Sequence, residues 1–470
     1  MSKHRWEPSR HTATDDAPEE YYRPDFLRLA DNPGEAILRA EAEAVARENH
    51  AVVDRYRALN NEEEAQQEGR GVTRRTFVVG AAATVTALAT TQFLSTQVSF
   101  GATAGGTLIH VFLYGGLDGL SLIAPTDDQY LVDNRPKLLL KPETSIPIAG
   151  NFKLTEAFAP LKGMLSAGQL AFVPGVSDPR LSRSHFQASD ACNLGGLPAE
   201  TGGRGFLDAL IDVLGPGTAF RSVGIGATLP RSLVGTNSAL SLNTVSSLNL
   251  NGESKFKDAT AKAIEGLFTG INHPVEDSVK AGLNALATAQ QISTTPYKPA
   301  AGVTYTGVGN AFKELATLIK GGANVRVATV SMGGYDTHED QGTESGGYLF
   351  HRLNELANAL NAFFTDLGKT SAQDVTVMVS TEFGRRVAQN GTGTDHGHGS
   401  VVIIASGKPL TSSLLGNWGG FNKLDNGDVP EYNNLFDVFG SIMKGRFGLT
   451  DTEVGKVFPS RIFSPMTVYK

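Results

Sequence analysis

Cysteine is almost absent: Cys192 is the only one in 470 residues, so no intrachain disulfide can form. Stability must come from a core or a bound ion. Excess positive charge is missing too. The chain carries 41 Lys/Arg against 48 Asp/Glu, a formal net charge of −7, which argues against a nucleic-acid-binding surface. No convincing internal repeat or low-complexity tract is present, so a repeat solenoid is not indicated. With 40% hydrophobic and 19% charged residues, the composition is that of an ordinary soluble globular chain of one large domain or two.

Charge is unevenly divided. Residues 1–73 carry 10 Lys/Arg and 16 Asp/Glu, residues 76–104 carry neither, and residues 105–470 carry 29 and 32. The uncharged stretch follows Thr73-Arg74-Arg75-Thr76-Phe77-Val78, is rich in Ala, Val and Thr, and ends Ala102-Thr103-Ala104. Paired Arg, a moderately apolar region and an Ala-x-Ala site are the order of a twin-arginine export signal. The twin-arginine translocase is then the expected partner of residues 74–104, with cleavage after Ala104 and a periplasmic or extracellular destination. The run is also about long enough to span a bilayer, so retention as a membrane anchor is the alternative, weakened by its many Thr, Ser, Gln and Ala residues. Residues 1–73 form an acidic leader. Its apolar positions at helical spacing from Glu35 to Gln67 suit either a cytoplasmic docking helix or a solvated, disordered tail.

From residue 105 the pattern alternates between strand and helix. Thr107 to Leu113, Leu170 to Gly175, Val325 to Val330, Val375 to Ser380 and Val401 to Ile404 read as short apolar strands of the buried parallel kind. Leu154 to Ala167, Val308 to Lys320, the amphipathic run Leu353 to Leu367 and Leu435 to Met443 read as helices, which gives a doubly wound α/β sheet. Residues 197–306 are less regular, with helical patches at Ala259 to Leu267 and Val279 to Gln291, and read as a cap or insertion beside the sheet.

Chemistry-bearing residues cluster where the strands end. Asp118 sits between Gly-rich turns and is either a cation ligand or part of an Asx turn. Ser182, Arg183, Ser184 and His185 follow the second strand; two hydroxyls beside guanidinium groups could supply a nucleophile and hold an anion, or form a plain surface loop. Asp336 and His338 follow a Gly-rich turn, and Glu382, Arg385, His396 and His398 lie between the last two apolar runs. His4, His11 and His50 belong to the leader; of the other seven His, four fall at these positions, which scatter rarely arranges. Mixed carboxylate and imidazole donors suit Zn²⁺, Mn²⁺ or Fe, while a carboxylate-only subset would also take Ca²⁺ or Mg²⁺.

Five motifs in order, Gly115-Gly116-Leu117-Asp118-Gly119, Arg183-Ser184-His185-Phe186, Gly334-Tyr335-Asp336-Thr337-His338, Glu382-Phe383-Gly384-Arg385 and Asp395-His396-Gly397-His398-Gly399, resemble an exported bacterial family. It is catalogued as domain of unknown function 1501, within the alkaline phosphatase and sulfatase superfamily. The resemblance covers residues 105–470 and implies a three-layer α/β/α sheet of the alkaline-phosphatase kind, with a metal centre at the strand C-termini. It implies metal ligation by Asp118, by Asp336 and His338 completed by His396 or His398, and by Glu382; His185 is a further candidate. Phe383 stands where the superfamily has an imidazole, which points to a single metal or a harder second ion. Ser182 or Ser184 falls in the nucleophile's region, and Arg183 or Arg385 would grip an ester's non-bridging oxygens. The sulfatase Cys-x-Pro-x-Arg pattern is absent, which argues against a formylglycine sulfatase. The expectation is therefore an exported hydrolase of small anionic phosphate or related esters that uses a divalent metal, zinc foremost, with calcium, magnesium or manganese as alternatives. The other class is an exported binding or surface-assembly protein that keeps the fold, and a structural metal, without turnover.

Overall fold

The computed structural model describes residues 105–470, apart from 251–256, 271–273, 294–295, 344 and 460. The leader, Arg74 and Arg75, the cleavage position and the anchor alternative therefore lie outside the described residues. Eight strands make the main sheet: β1 (Thr107–Leu113), β2 (Leu170–Ser177), β3 (Ser222–Ile225), β4 (Leu240–Leu242), β5 (Val327–Met332), β6 (Val375–Thr381), β7 (Ser400–Ser406) and β8 (Asn433–Asn434). Their order across the sheet is β8-β2-β7-β6-β1-β5-β3-β4.

All seven residues of β1 are buried, because parallel neighbours β5 and β6 leave it no free edge and helices cover both faces. Its side chains alternate between two cores. Ile109, Val111 and Leu113 enter the one completed by Phe312, Leu315, Leu356 and Phe363 from helices Gly309–Lys320 and Tyr348–Ala372. Leu108 and Phe112 enter the other, with Phe206, Leu210, Phe436 and Phe439 from helices Phe206–Leu214 and Leu435–Phe447. This is the expected three-layer α/β/α arrangement. His110 is a core histidine: its Nε2 lies 2.8 Å from Ser380 Oγ, and burial pushes its pKa down to about 3, so it stays neutral among Phe112, Phe206 and Phe439.

Three expectations change. The run Val401 to Ile404 reads as a parallel strand, but β7 pairs antiparallel with both β2 and β6. A continuous apolar pattern reports burial on both faces and carries no direction. The span 197–306 is in part woven into the sheet, since β3 pairs with β5 and β4 with β3 before helices Lys257–Phe268 and Pro274–Ser293 follow. Those two strands, of four and three residues, are too short to show a period. Leu154 to Ala167 divides into the end of a short strand, a 3-10 helix Glu156–Leu161 and an α-helix Lys162–Ser166. Pro160 lacks the N–H that a continuous α-helix needs. The long amphipathic helix behaves as its spacing predicts: Leu353, Leu356, Leu360, Phe363, Phe364 and Leu367 are all buried. No described helix is long and apolar enough to cross a membrane.

Candidate metal centre

Because β7 runs against its neighbours, the loop entering it opens on the same rim as the loops leaving β1, β2, β5 and β6. His185 at the start of helix His185–Leu194, Asp336 and His338 after β5, Glu382 after β6 and His396 before β7 meet there. Glycine permits the close approach. Gly115 has φ +117°, and a Cβ on it would lie 2.3 Å from the Asp336 backbone nitrogen; one on Gly393 would lie 2.3 Å from the His338 carbonyl carbon.

One donor atom from each of His185, Asp336 and His396 falls within 4.8 Å of the others. His338 joins them, its Nε2 3.0 Å from both Asp336 Oδ1 and His396 Nε2. The outward nitrogen of each ring faces an acceptor. His185 Nδ1 lies 2.7 Å from Glu382 Oε1, His396 Nδ1 2.9 Å from the Arg183 carbonyl oxygen, and His338 Nδ1 3.5 Å from Asp395 Oδ1. The partners of His185 and His396 suit a proton on Nδ1, so that with a cation bound the Nε2 lone pairs would be free to face it, as in metal-ligating imidazoles. The buried Nε2 of His185 makes no hydrogen bond; Asp336 Oδ2 is 3.4 Å away. Two imidazole nitrogens, one of them orphaned, and a carboxylate within 4.8 Å of one another fit a cation of the Zn²⁺ kind, and His338, outside that trio but 3.0 Å from two of the three, is the candidate fourth ligand.

The electrostatics agree. Burial opposes charge on His185, yet the carboxylates of Asp336 and Glu382 lift its pKa to about 9. Burial likewise opposes charge on Asp336, but His185, His338, His396 and Arg385 hold it far below the usual carboxylate range. The pair of carboxylates thus draws a positive charge between them. Phe383 walls one side, its ring centre 4.9 Å from that of His185 and 4.7 Å from that of His396.

Several expected ligands have other duties. Glu382 Oε1 accepts from His185 Nδ1 and from Gly115 N at 2.8 Å, and Oε2 accepts from Thr381 Oγ1 at 2.9 Å, so Glu382 orients His185. Asp118 Oδ2 accepts from Arg135 at 2.6 Å, Gln341 at 2.6 Å and Ser121 at 2.5 Å, in an ion pair with a fully buried guanidinium, so it neither joins the His/Asp group nor closes an Asx turn. His398 turns aside, its Nε2 3.3 Å from Glu431 Oε2. Arg385 is buried and committed: it donates to the carbonyls of Gly115, Gly116, Tyr335 and Thr394 and to Asp336 Oδ1 at 2.5 Å, and its burial keeps it from an ester. Arg183 pairs with buried Asp428 but is 38% exposed. Ser182 Oγ accepts from Ser184 N at 3.2 Å, and Ser184 stands at the helix N-cap without a side-chain capping bond.

Two residues of this assembly escape the sequence reading. Arg135 also donates to the carbonyls of Arg386 and Val387, each at 2.6 Å, and Gln341 bridges two loops. Buried Arg and Gln in polar segments look like surface residues; only the Gly-rich turn upstream of Gln341 hints at a packed loop. A groove of about 420 Å³ lined by Thr304, His351, Asn354 and Glu355 contains none of these residues, so convergence of donors, not cavity size, selects the site.

The family described as "Protein of unknown function (DUF1501)" matches residues 177–436, more than half of the chain. The chain belongs to this family. His185, Asp336, His338, Glu382 and His396 of the DUF1501 chain all fall inside the matched span, whereas Asp118 and Arg135 precede it. No curated protein matches the sequence significantly. Among solved structures, the C-terminal periplasmic domain of EcEptC from Escherichia coli, in complex with Zn, is similar at 10% identity over 76% of this chain and 87% of that one, with a TM-score of 0.34. The lipoteichoic acid synthase LtaP from Listeria monocytogenes is similar at 10% identity over 76% and 77%, with a TM-score of 0.29. BT1596, a 2-O GAG sulfatase, is similar at 9% over 77% and 76%, with a TM-score of 0.30. Scores this low leave the chemistry to be read from the site's own residues.

Proposed function

We propose that this DUF1501 protein is an exported hydrolase of phosphate or related esters whose His185, Asp336, His338 and His396 hold one divalent metal ion, zinc before manganese or iron. The observation that supports it is the convergence of His185, Asp336 and His396, with His338 Nε2 3.0 Å from two of them, while each outward Nδ1 faces an acceptor. Three imidazoles make a poor cage for Ca²⁺ or Mg²⁺, which prefer oxygen. Bound there, the ion would supply Lewis-acid stabilisation of charge on an ester oxygen.

The chain's own groups supply the rest. Arg183, held by Asp428 yet exposed, is the guanidinium free to meet an anionic ester, since Arg385 is consumed by backbone carbonyls. The Ser184 hydroxyl, uncapped at the N-terminus of a ten-residue helix, stands where first-turn N–H groups favour an anion and is the candidate nucleophile. Glu382 fixes the His185 ring. Export would use Arg74 and Arg75, with residues 1–73 left behind.

A non-catalytic reading has one supporting observation: neither Ser182 nor Ser184 is hydrogen-bonded to a His or a carboxylate among the described contacts. Metal analysis of the purified protein and a panel of phosphomonoesters, phosphodiesters and sulfate esters separate the two. We expect one equivalent of metal and hydrolysis that Asp336→Ala abolishes. A fully folded protein without stoichiometric metal would end the hydrolase reading, and bound metal without turnover of any ester would leave the binding protein.

A further inference from the structure

We infer that Gln341 is a positioning residue for the His/Asp group, setting the separation of the two loops that carry it; this rests on the metal-centre reading above. Asp336 and His338 come from the loop after β5, and His396 from the loop before β7. Between these loops stands the Gln341 side chain, fully buried. Its Oε1 accepts from Thr337 Oγ1 and Thr394 Oγ1, each at 2.9 Å, and its Nε2 donates to Asp118 Oδ2 at 2.6 Å and Ser121 Oγ at 2.9 Å. Four hydrogen bonds exhaust the amide's capacity. Thr337 lies between Asp336 and His338 in the chain and Thr394 two residues before His396, so one oxygen atom couples both ligand loops.

Burying a primary amide is repaid only by full pairing, which makes such a network all-or-none. The backbone is bent to deliver it. Asp340, immediately before Gln341, has φ 50°, and Gly342, immediately after, has φ 55° with only 2.5 Å between an added Cβ and Gly347 Cα. The far end of the amide is anchored by Asp118, itself fixed by Arg135, which also holds the carbonyls of Arg386 and Val387 beyond Arg385. Only an amide can accept from two hydroxyls on one side and donate to a carboxylate on the other; a glutamate here would have no proton for Asp118. The buried Asp118, expected as a ligand, thereby acts on the metal centre at one remove.

The test uses the full-length protein stripped by chelator, titrated with Co²⁺ while its ligand-field bands are followed, and with Zn²⁺ in competition; circular dichroism reports folding. Gln341→Leu removes all four hydrogen bonds, Thr394→Val removes one, and Thr394→Ser restores it. Gln341→Leu should weaken both ions about 10–100-fold and change the Co²⁺ bands, as loss of groups that orient ligands does. Thr394→Val should shift affinity and bands the same way by less, and Thr394→Ser should match the wild type. Wild-type affinity and bands in both Gln341→Leu and Thr394→Val would overturn the positioning role. Should Gln341→Leu not fold, Thr394→Val and Thr394→Ser decide by themselves. A wild-type protein that binds neither ion would remove the metal centre, and this inference with it.

Discussion

Replacing Glu382 by Gln isolates the part that one negative charge plays at the site. The amide oxygen can take the place of Oε1 and still accept from His185 Nδ1 and Gly115 N, now at 2.7 and 2.8 Å. The amide NH₂ then meets Thr381 Oγ1, whose single proton, shared between Glu382 Oε2 and the Leu113 carbonyl, turns wholly to that carbonyl at 2.7 Å and leaves a lone pair to accept. Hydrogen bonds are kept in number, and only the charge is lost. A charge-assisted bond is about twice as strong as a neutral one, and removing such a partner from a metal-ligating His costs about 10–100-fold in affinity. That is about 1.4–2.8 kcal/mol. Calorimetric titration of the stripped protein with Zn²⁺ should therefore show one equivalent in both proteins, bound about 10–100-fold more weakly by Glu382→Gln. Unchanged affinity would refute the claim that Glu382 acts through His185. Two equivalents in the wild type, with one lost in Glu382→Gln, would show that Glu382 ligates a second ion.

Arg385→Ala should destabilise the fold by about 3–5 kcal/mol in urea unfolding, because it takes a buried cation from Asp336 and leaves the carbonyls of Gly115, Gly116 and Thr394 without their donor, and Arg385→Lys should not rescue it, since an ammonium cannot reach them together. Asp366 tests the acid limb. Burial opposes its charge, but the hydroxyls of Tyr297 and Tyr305, Ala300 N and Lys320 Nζ hold its pKa below the ordinary value. A depressed carboxyl stabilises above its unfolded pKa of about 3.9, and the contribution is lost as pH falls through the folded value; Asp366→Asn should lower Tm at pH 7 and flatten the melting profile below pH ~4. Replacing Arg74 and Arg75 with Lys should leave precursor in the cytoplasm, whereas the unaltered protein recovered outside should begin at Gly105 by N-terminal sequencing; full-length chain in washed membranes would mean that the uncharged segment stays as an anchor.

Strands β1, β2, β5, β6 and β7 were legible because a continuous β-branched run is what burial on two faces requires, and the rim was legible because Gly-rich turns carry His, Asp and Glu directly after those runs. What burial does not encode was lost. The direction of β7 is set by how its loop returns, and β3 and β4 are recruited by edge pairing that leaves no period. The roles of Glu382, Asp118 and Arg385 were hidden for another reason. A carboxylate that holds a metal and one that holds the imidazole holding it look alike in a sequence, as do a guanidinium aimed at an ester and one spent on carbonyls.

The reversal of β7 and the identity of Phe383 together argue for a single ion. With β7 antiparallel, one continuous segment leaves β6 with Glu382 and returns to β7 through His396, so the residue that orients one ligand and another ligand itself share a loop and move together. At the turn of that loop the Phe383 ring lies against both His185 and His396, and a Cβ on Gly116 would come within 2.5 Å of it. The volume beside the donor cluster is thus filled by an aromatic ring that offers no lone pair. A second ion would have to draw its ligands from Glu382 and Asp118: both Glu382 oxygens are engaged by His185, Gly115 and Thr381, and Asp118 Oδ2 by Arg135, Gln341 and Ser121, which leaves Asp118 Oδ1 as the one oxygen of the two carboxylates without a partner. Taking Glu382 would release His185, and Asp118 Oδ1 alone is a single donor, too few to hold a second ion.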